Sequence, residues 1–235
     1  MTPPHRIGYR IDLPDGSTKM LEFQFDAVEF RLQGGDPAIP PFWTELGFNQ
    51  CANCPLDVAS VTHCPAALKM ARAVDELKTL VSFDTVGVTV TLPERAVHAE
   101  TTAQQAMSSV LGLIMATAGC PWTDHLRPMA RFHLPFASEA ETVYRSVCMF
   151  LLARELKGPR NAAGFAELEE LYENLHVVNR DMSRRLGAAT TTDPARNAMA
   201  LLDSTTMLLP AAVEHCFDEL EPLFGAWKNQ RNSAI

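Results

Sequence analysis

Four cysteines, set at Cys51-x2-Cys54-Pro, His63-Cys64-Pro and Gly119-Cys120-Pro, constrain this chain more than any other feature of it. Sulfurs placed in this way pair with each other, stay free or share a metal. A C-x2-C pair brackets a turn whose amides can face its sulfurs, and thiolates are the ligands that zinc and iron–sulfur clusters favour. The opening MTPPHRIGYRID lacks the apolar stretch of a secretory signal, so the sequence reads as cytoplasmic. In that reducing compartment six cysteines are expected as thiols or metal ligands rather than disulfides.

The metal is argued from spacing. Structural zinc sites usually join two C-x2-C or C-x2-C/H-x3-H halves, whereas here one such half is followed by a single cysteine ten positions later and a remote fourth. Cysteine followed by proline is familiar from cluster proteins, where proline stiffens the turn and withholds an amide that would need a partner. These features place a [4Fe–4S] cluster ahead of zinc on Cys51, Cys54, Cys64 and Cys120, with buried free thiols as the third reading. Cys64 stands at the N-cap of an expected helix, where unpaired amides and the helix dipole stabilise a thiolate. Cys120 stands at a helix C-terminus, where the dipole opposes negative charge by up to about 1 kcal/mol. That is small beside the roughly 10–16 kcal/mol of structural zinc binding. His63 is an alternative fourth ligand, and His125 and Arg127 are candidate donors to the sulfurs from outside the ligand set. Cys148 and Cys216 lie among apolar residues in expected helices and read as core packing.

Fold class follows from periodicity. Apolar and polar residues alternate on either side of Pro14-Asp15-Gly16, which predicts a β-hairpin over about 7–12 and 19–30 with Leu21, Phe23 and Phe25 on its buried face. A proline-bearing segment from Gly34 to Gln50 reads as irregular wrapping pinned by Phe42 and Trp43. A helix is expected from Pro65 to Leu80, and Val86, Val88, Val90 and Leu92 predict a third strand. Thr102-x-x-Gln105 and Ser138-x-x-Glu141 have the form of capping boxes, the first opening a helix that Gly119 stops and the second one that Gly158-Pro159 ends. Further helices are expected over about 165–186, from Asp193-Pro194 to about Leu208, and from Pro210 onward, the last kinked or divided at Pro222. The result is a single α+β domain over 1–235. A small N-terminal antiparallel hairpin sheet with a third strand and the cysteine-rich part fill about 1–100, packed on a bundle of about five helices over about 101–235.

Charge narrows the partners. Twenty Lys and Arg against 28 Asp and Glu give a net charge of −8, which argues against nucleic acid, and no run of 18 apolar residues suggests a membrane span. A protein of unknown identity is the expected partner, with a homodimer through the C-terminal helices as another arrangement. One local exception is the segment His125 to His133. There Arg127 and Arg131 could grip a phosphate or carboxylate with His133 as proton donor, or could simply pair with neighbouring carboxylates. Glu173-x-x-His176 has the spacing of a di-iron motif, but those sites need two such pairs. No G-x-x-x-x-G-K-[ST], G-x-G-x-x-G, H-E-x-x-H or G-x-S-x-G occurs, so the common nucleotide and hydrolase chemistries lack their usual signatures.

The motifs Cys51-x2-Cys54-Pro-Leu, Cys64-Pro-Ala-Ala, Ala118-Gly119-Cys120-Pro and Arg127-Pro-Met-Ala-Arg-Phe-His-Leu-Pro-Phe136, with Tyr172-Glu-Asn and Val178-Asn179, resemble a family of uncharacterised bacterial proteins, a domain of unknown function. The resemblance implies one module of bacterial cytoplasm and lends no catalytic residue. The expectation is a cytoplasmic metal-centre protein, non-enzymatic or weakly redox-active, with a regulatory or redox- or iron-sensing role. The alternative is an enzyme or binder of a small anionic ligand that uses Arg127, Arg131 and His133, with a purely structural zinc.

Overall fold

The alternation around Pro14-Asp15-Gly16 builds a hairpin of β1 (His5–Asp12) and β2 (Thr18–Phe25), closed by Gly16 at φ +84° and by Leu13 N–H donating to Ser17 O at 2.8 Å. The computed structural model describes residues 4–157, 165–189 and 193–226, without the side chains of 208–219. Strand β2 stops at Phe25 rather than continuing to residue 30. The Asp26 carboxylate accepts from the amides of Val28, Glu29 and Arg31 and turns the chain, and Phe30 then stacks on Phe25 at 4.4 Å.

The sheet is antiparallel and five-stranded, in the order β3-β2-β1-β4-β5, with β3 Leu32–Gln33, β4 Thr85–Thr91 and β5 Ala96–Thr102. Strand β5 was not expected. It is an edge strand without a continuous buried face, so it shows no apolar alternation to read. Ile7, Tyr9 and Ile11, Leu21, Phe23 and Phe25, and Val86, Val88 and Val90 bury one face of the sheet. Against this core pack α1 (Pro65–Glu76) and α2 (Ala103–Thr117).

The helical half adds the short α3 (Arg127–Arg131), α4 (Glu139–Lys157), α5 (Ala166–Ala189) and α6 (Pro194–Leu220). Ser138 and Glu141 cap α4 reciprocally, at 2.8 and 3.2 Å. Gly158 and Pro159, expected to end that helix, lie outside the described residues. Pro210 opens no new helix, because α6 runs through it to Leu220. Pro222 falls in a 3₁₀ turn, Glu221–Phe224, just after α6 ends. The helix begun at Pro65 stops at Glu76, and Leu77 and Leu80 are buried in the turn that follows. Of the two aromatic pins only Trp43 is buried, while Phe42 is 58% exposed and packs edge-on against Phe48. No described helix is long and apolar enough to cross a membrane. Val178, Met182 and Leu186 on one stripe of α5 join the main core and bring that helix over the cysteine loop.

Candidate metal centre

Three separate stretches of chain deliver the four cysteines. Cys51 and Cys54 flank a turn closed by Cys54 N–H donating to Cys51 O at 3.0 Å. The turn is fastened on two sides. Ala52 N–H donates to Asp181 Oδ2 at 2.9 Å and Asn53 Nδ2 donates to Asn174 Oδ1 at 3.0 Å, both on α5, while Trp122 Nε1 donates to Asn53 O at 2.8 Å. Cys64 is the N-cap of α1, with Pro65 in its first turn and Cys64 N–H donating to Thr44 O at 2.8 Å. Gly119 takes φ +89°, a conformation that favours glycine, and turns the end of α2 into Cys120. The amides of Thr123 and Asp124 then donate to Cys120 O at 3.1 and 3.0 Å.

The four sulfurs share one electrostatic neighbourhood. Burial pushes the Cys51 thiol up to about 12, and the nearness of Cys64, Cys120, Asp181 and Cys54 adds to the rise. Burial also raises Cys64, against which the Ala67 and Ala66 amides at the start of α1 and the Arg185 guanidinium favour its thiolate. Cys51, Cys54, Cys64 and Cys120 are all free of disulfides, and only Cys64 is fully buried. Among the described residues no three His, Cys, Asp or Glu side chains stand as a ready-made ligand set for a metal ion.

Two charged residues of α5 complete the surroundings. Arg185 is 1% exposed. Its Nη1 donates to Trp43 O at 2.7 Å and Glu45 O at 2.6 Å, its Nη2 donates to Leu46 O at 3.1 Å, and its Nε has no partner. All three of these acceptors are uncharged carbonyls. Asp181 is buried as well, which opposes its charge, but Ala52 N–H and the guanidinium of Arg180, with Arg184 close by, hold its carboxyl below the ordinary range. Neither residue was singled out by sequence. The signal was available, since positions 181 and 185 fall on the stripe that Val178, Met182 and Leu186 mark as buried, where a charged residue needs a reason.

Other candidate residues are placed apart from the sulfurs' immediate partners. His63 Nδ1 shares a hydrogen bond with Thr44 Oγ1 at 2.9 Å, and the exposed His125 ring bonds Trp122 O at 3.3 Å. Arg127 donates to Glu29 O at 2.8 Å and lies 3.7 and 3.9 Å from the Glu29 and Asp124 carboxylates. Arg131 lies over the rings of Phe30 and Phe132, and His133 Nε2 meets the Tyr9 hydroxyl at 2.5 Å. Arg127 and Arg131 thus meet the adjacent residues Glu29 and Phe30, while His133 meets Tyr9. His176, expected on a face shared with Glu173, bonds Asp203 at 2.6 Å. Cys148, expected in the core, is exposed on α4, because the buried face of that helix is taken by Val143, Ser146, Val147 and Phe150. The Cys216 side chain lies outside the described residues.

The family model for a domain of unknown function, DUF6901, matches residues 7–225. The chain belongs to the DUF6901 family. Neither the curated proteins nor the solved structures contain a match to it. The match takes in the sheet from Ile7 onward, all four cysteines and the DUF6901 helices α1 to α6.

Proposed function

We propose that Cys51, Cys54, Cys64 and Cys120 hold a metal centre, a [4Fe–4S] cluster in preference to zinc, and that the protein is a regulatory or redox- or iron-sensing component of the bacterial cytoplasm. The observation that carries this reading is Arg185. A guanidinium sealed in the core, with no carboxylate partner among the described residues, costs several kcal/mol. Thiolates gathered round a metal are the negative charge that would offset it, and Arg185 already favours the ionised form of Cys64.

Sequence spacing supports a cluster over a single ion. Structural zinc sites usually join two C-x2-C or C-x2-C/H-x3-H halves, whereas this chain has one such half, a single cysteine ten positions later and a remote fourth. Cysteine followed directly by proline is familiar from cluster proteins. When bound, a cluster would supply one-electron chemistry or sensitivity to oxidants. The chain's own residues would do the rest: Asp181, Asn174 and Trp122 hold the 51–54 turn, and the start of α1 stabilises the Cys64 thiolate. Loss of the metal would free the 51–64 segment and alter the surface offered to a partner.

Anaerobically purified protein should absorb between roughly 320 and 420 nm and carry iron and acid-labile sulfide. A colourless protein with one zinc per chain would overturn the sensing role and leave a structural one. Protein with neither metal under anaerobic reconstitution would overturn the centre itself.

A further inference from the structure

The helical half encloses a second feature, independent of the cysteines. A cavity of about 390 Å³ opens between α2, the α3 segment, α4, α5 and α6, within the range of roughly 300–1,000 Å³ typical of small-molecule sites. Leu113, Met129, Leu201 and Leu202 give it an apolar body. No Asp or Glu is among its described lining residues, although the chain as a whole is acidic.

Arg145 contributes the one described guanidinium to that lining. Its Nη2 donates to Met129 O at 2.8 Å and to Phe132 O at 2.9 Å, and it makes no ion pair among the described residues. The nearest carboxylate on its own helix, Glu141, instead accepts from Ser138 N–H at 2.8 Å in the helix cap. Burial lowers the Arg145 pKa, and the nearby Glu141 carboxylate opposes that fall without offsetting it. His133 lines the same cavity close enough to feel that charge. The Tyr9 hydroxyl lies 2.8 Å from Ser109 Oγ and 2.5 Å from His133 Nε2. Burial keeps Tyr9 protonated and His133 neutral, and in the tautomer where Tyr9 O–H donates to Nε2 the ring proton sits on Nδ1, a second donor with no described partner.

We propose that this cavity binds a small organic monocarboxylate with an apolar tail, its carboxylate taken by Arg145 and its tail laid along Leu113, Leu201 and Leu202. One cation, no lining acid and an apolar body match a single negative charge on a greasy molecule. A phosphate dianion would ask for more donors than one guanidinium and a neutral imidazole supply.

Calorimetric titration of the full chain with octanoate and with 1-octanol tests this. Octanoate should saturate one site per chain and bind about tenfold or more tightly than the alcohol, the expected margin for a charge-assisted over a neutral hydrogen bond. Arg145→Gln should erase that preference. Arg145 also holds the end of α3, so a second variant, Thr205→Trp, fills the cavity from an exposed lining position. It should weaken octanoate by about tenfold or more. Absence of saturable binding, equal affinity for acid and alcohol, or octanoate binding unchanged in Thr205→Trp would each overturn the proposal.

Discussion

Replacing Arg185 by Met tests the charge balance of the cysteine centre. Methionine keeps an unbranched apolar stem while removing the charge and its donors. Two effects of opposite sign follow. The carbonyls of Trp43 and Leu46, whose bonds to Arg185 are buried, lose their donor at about 1–3 kcal/mol each, whereas the bond to Glu45 O is only partly buried and water can replace it. In the other direction, removing a buried cation relieves several kcal/mol of desolvation, provided no anion was compensating it. In the metal-loaded protein the thiolates compensate, that relief is absent, and the variant should lose about 2–6 kcal/mol, a large part of a typical folding stability of 5–15 kcal/mol. In protein stripped of metal the two effects oppose each other and the loss should shrink to about 1 kcal/mol or less. Urea unfolding followed by tryptophan fluorescence, run on loaded and stripped samples of both proteins, measures the difference. Equal destabilisation in the two states would refute the electrostatic argument and reduce Arg185 to a clamp on the 43–46 loop. No destabilisation in either state would refute the clamp too.

Cys54→Ser should lower metal content and reduce stability by more than the 1–3 kcal/mol expected for desolvating a hydroxyl, as read by elemental analysis and thermal unfolding; unchanged metal content would remove Cys54 from the ligand set. In metal-free protein at pH 8 the Cys51 thiol, with its pKa near 12, is ionised in about one molecule in 10⁴, so iodoacetamide should modify the exposed Cys148 first. Peptide mass spectrometry showing equal rates would mean that the cysteine pocket is open. His133 is pushed down to about 4, by burial first and then by Arg145, from about 6.5 when unfolded. The unfolded chain therefore binds the extra proton between those values, and stability present above pH 6.5 is lost as pH falls toward 4, by up to about 3 kcal/mol. Urea unfolding at pH 7 and 4.5 should show that loss in the native protein and a flatter profile in His133→Gln; parallel profiles would mean that His133 titrates normally.

The amino-acid sequence determined whatever rests on neighbours a few residues apart. Pro14-Asp15-Gly16 set the hairpin, Cys64-Pro65 the start of α1, Ser138 and Glu141 the cap of α4, and Gly119 the turn into Cys120, because backbone conformation and helix capping act within one turn of chain. Tertiary structure decided the rest. Strand β5 exists because β4 pairs with it, not because its own residues alternate. Pro210 is carried inside α6 despite its missing amide, and Cys148 is left exposed because other α4 residues took the buried face. Asp181 fastens the 51–54 turn, Arg185 reaches carbonyls about 140 positions away, and Arg145 and His133 line one cavity that no local pattern encodes. Such pairings depend on how separate elements pack, and packing is fixed only when burial, hydrogen bonding and charge across the whole chain are satisfied together.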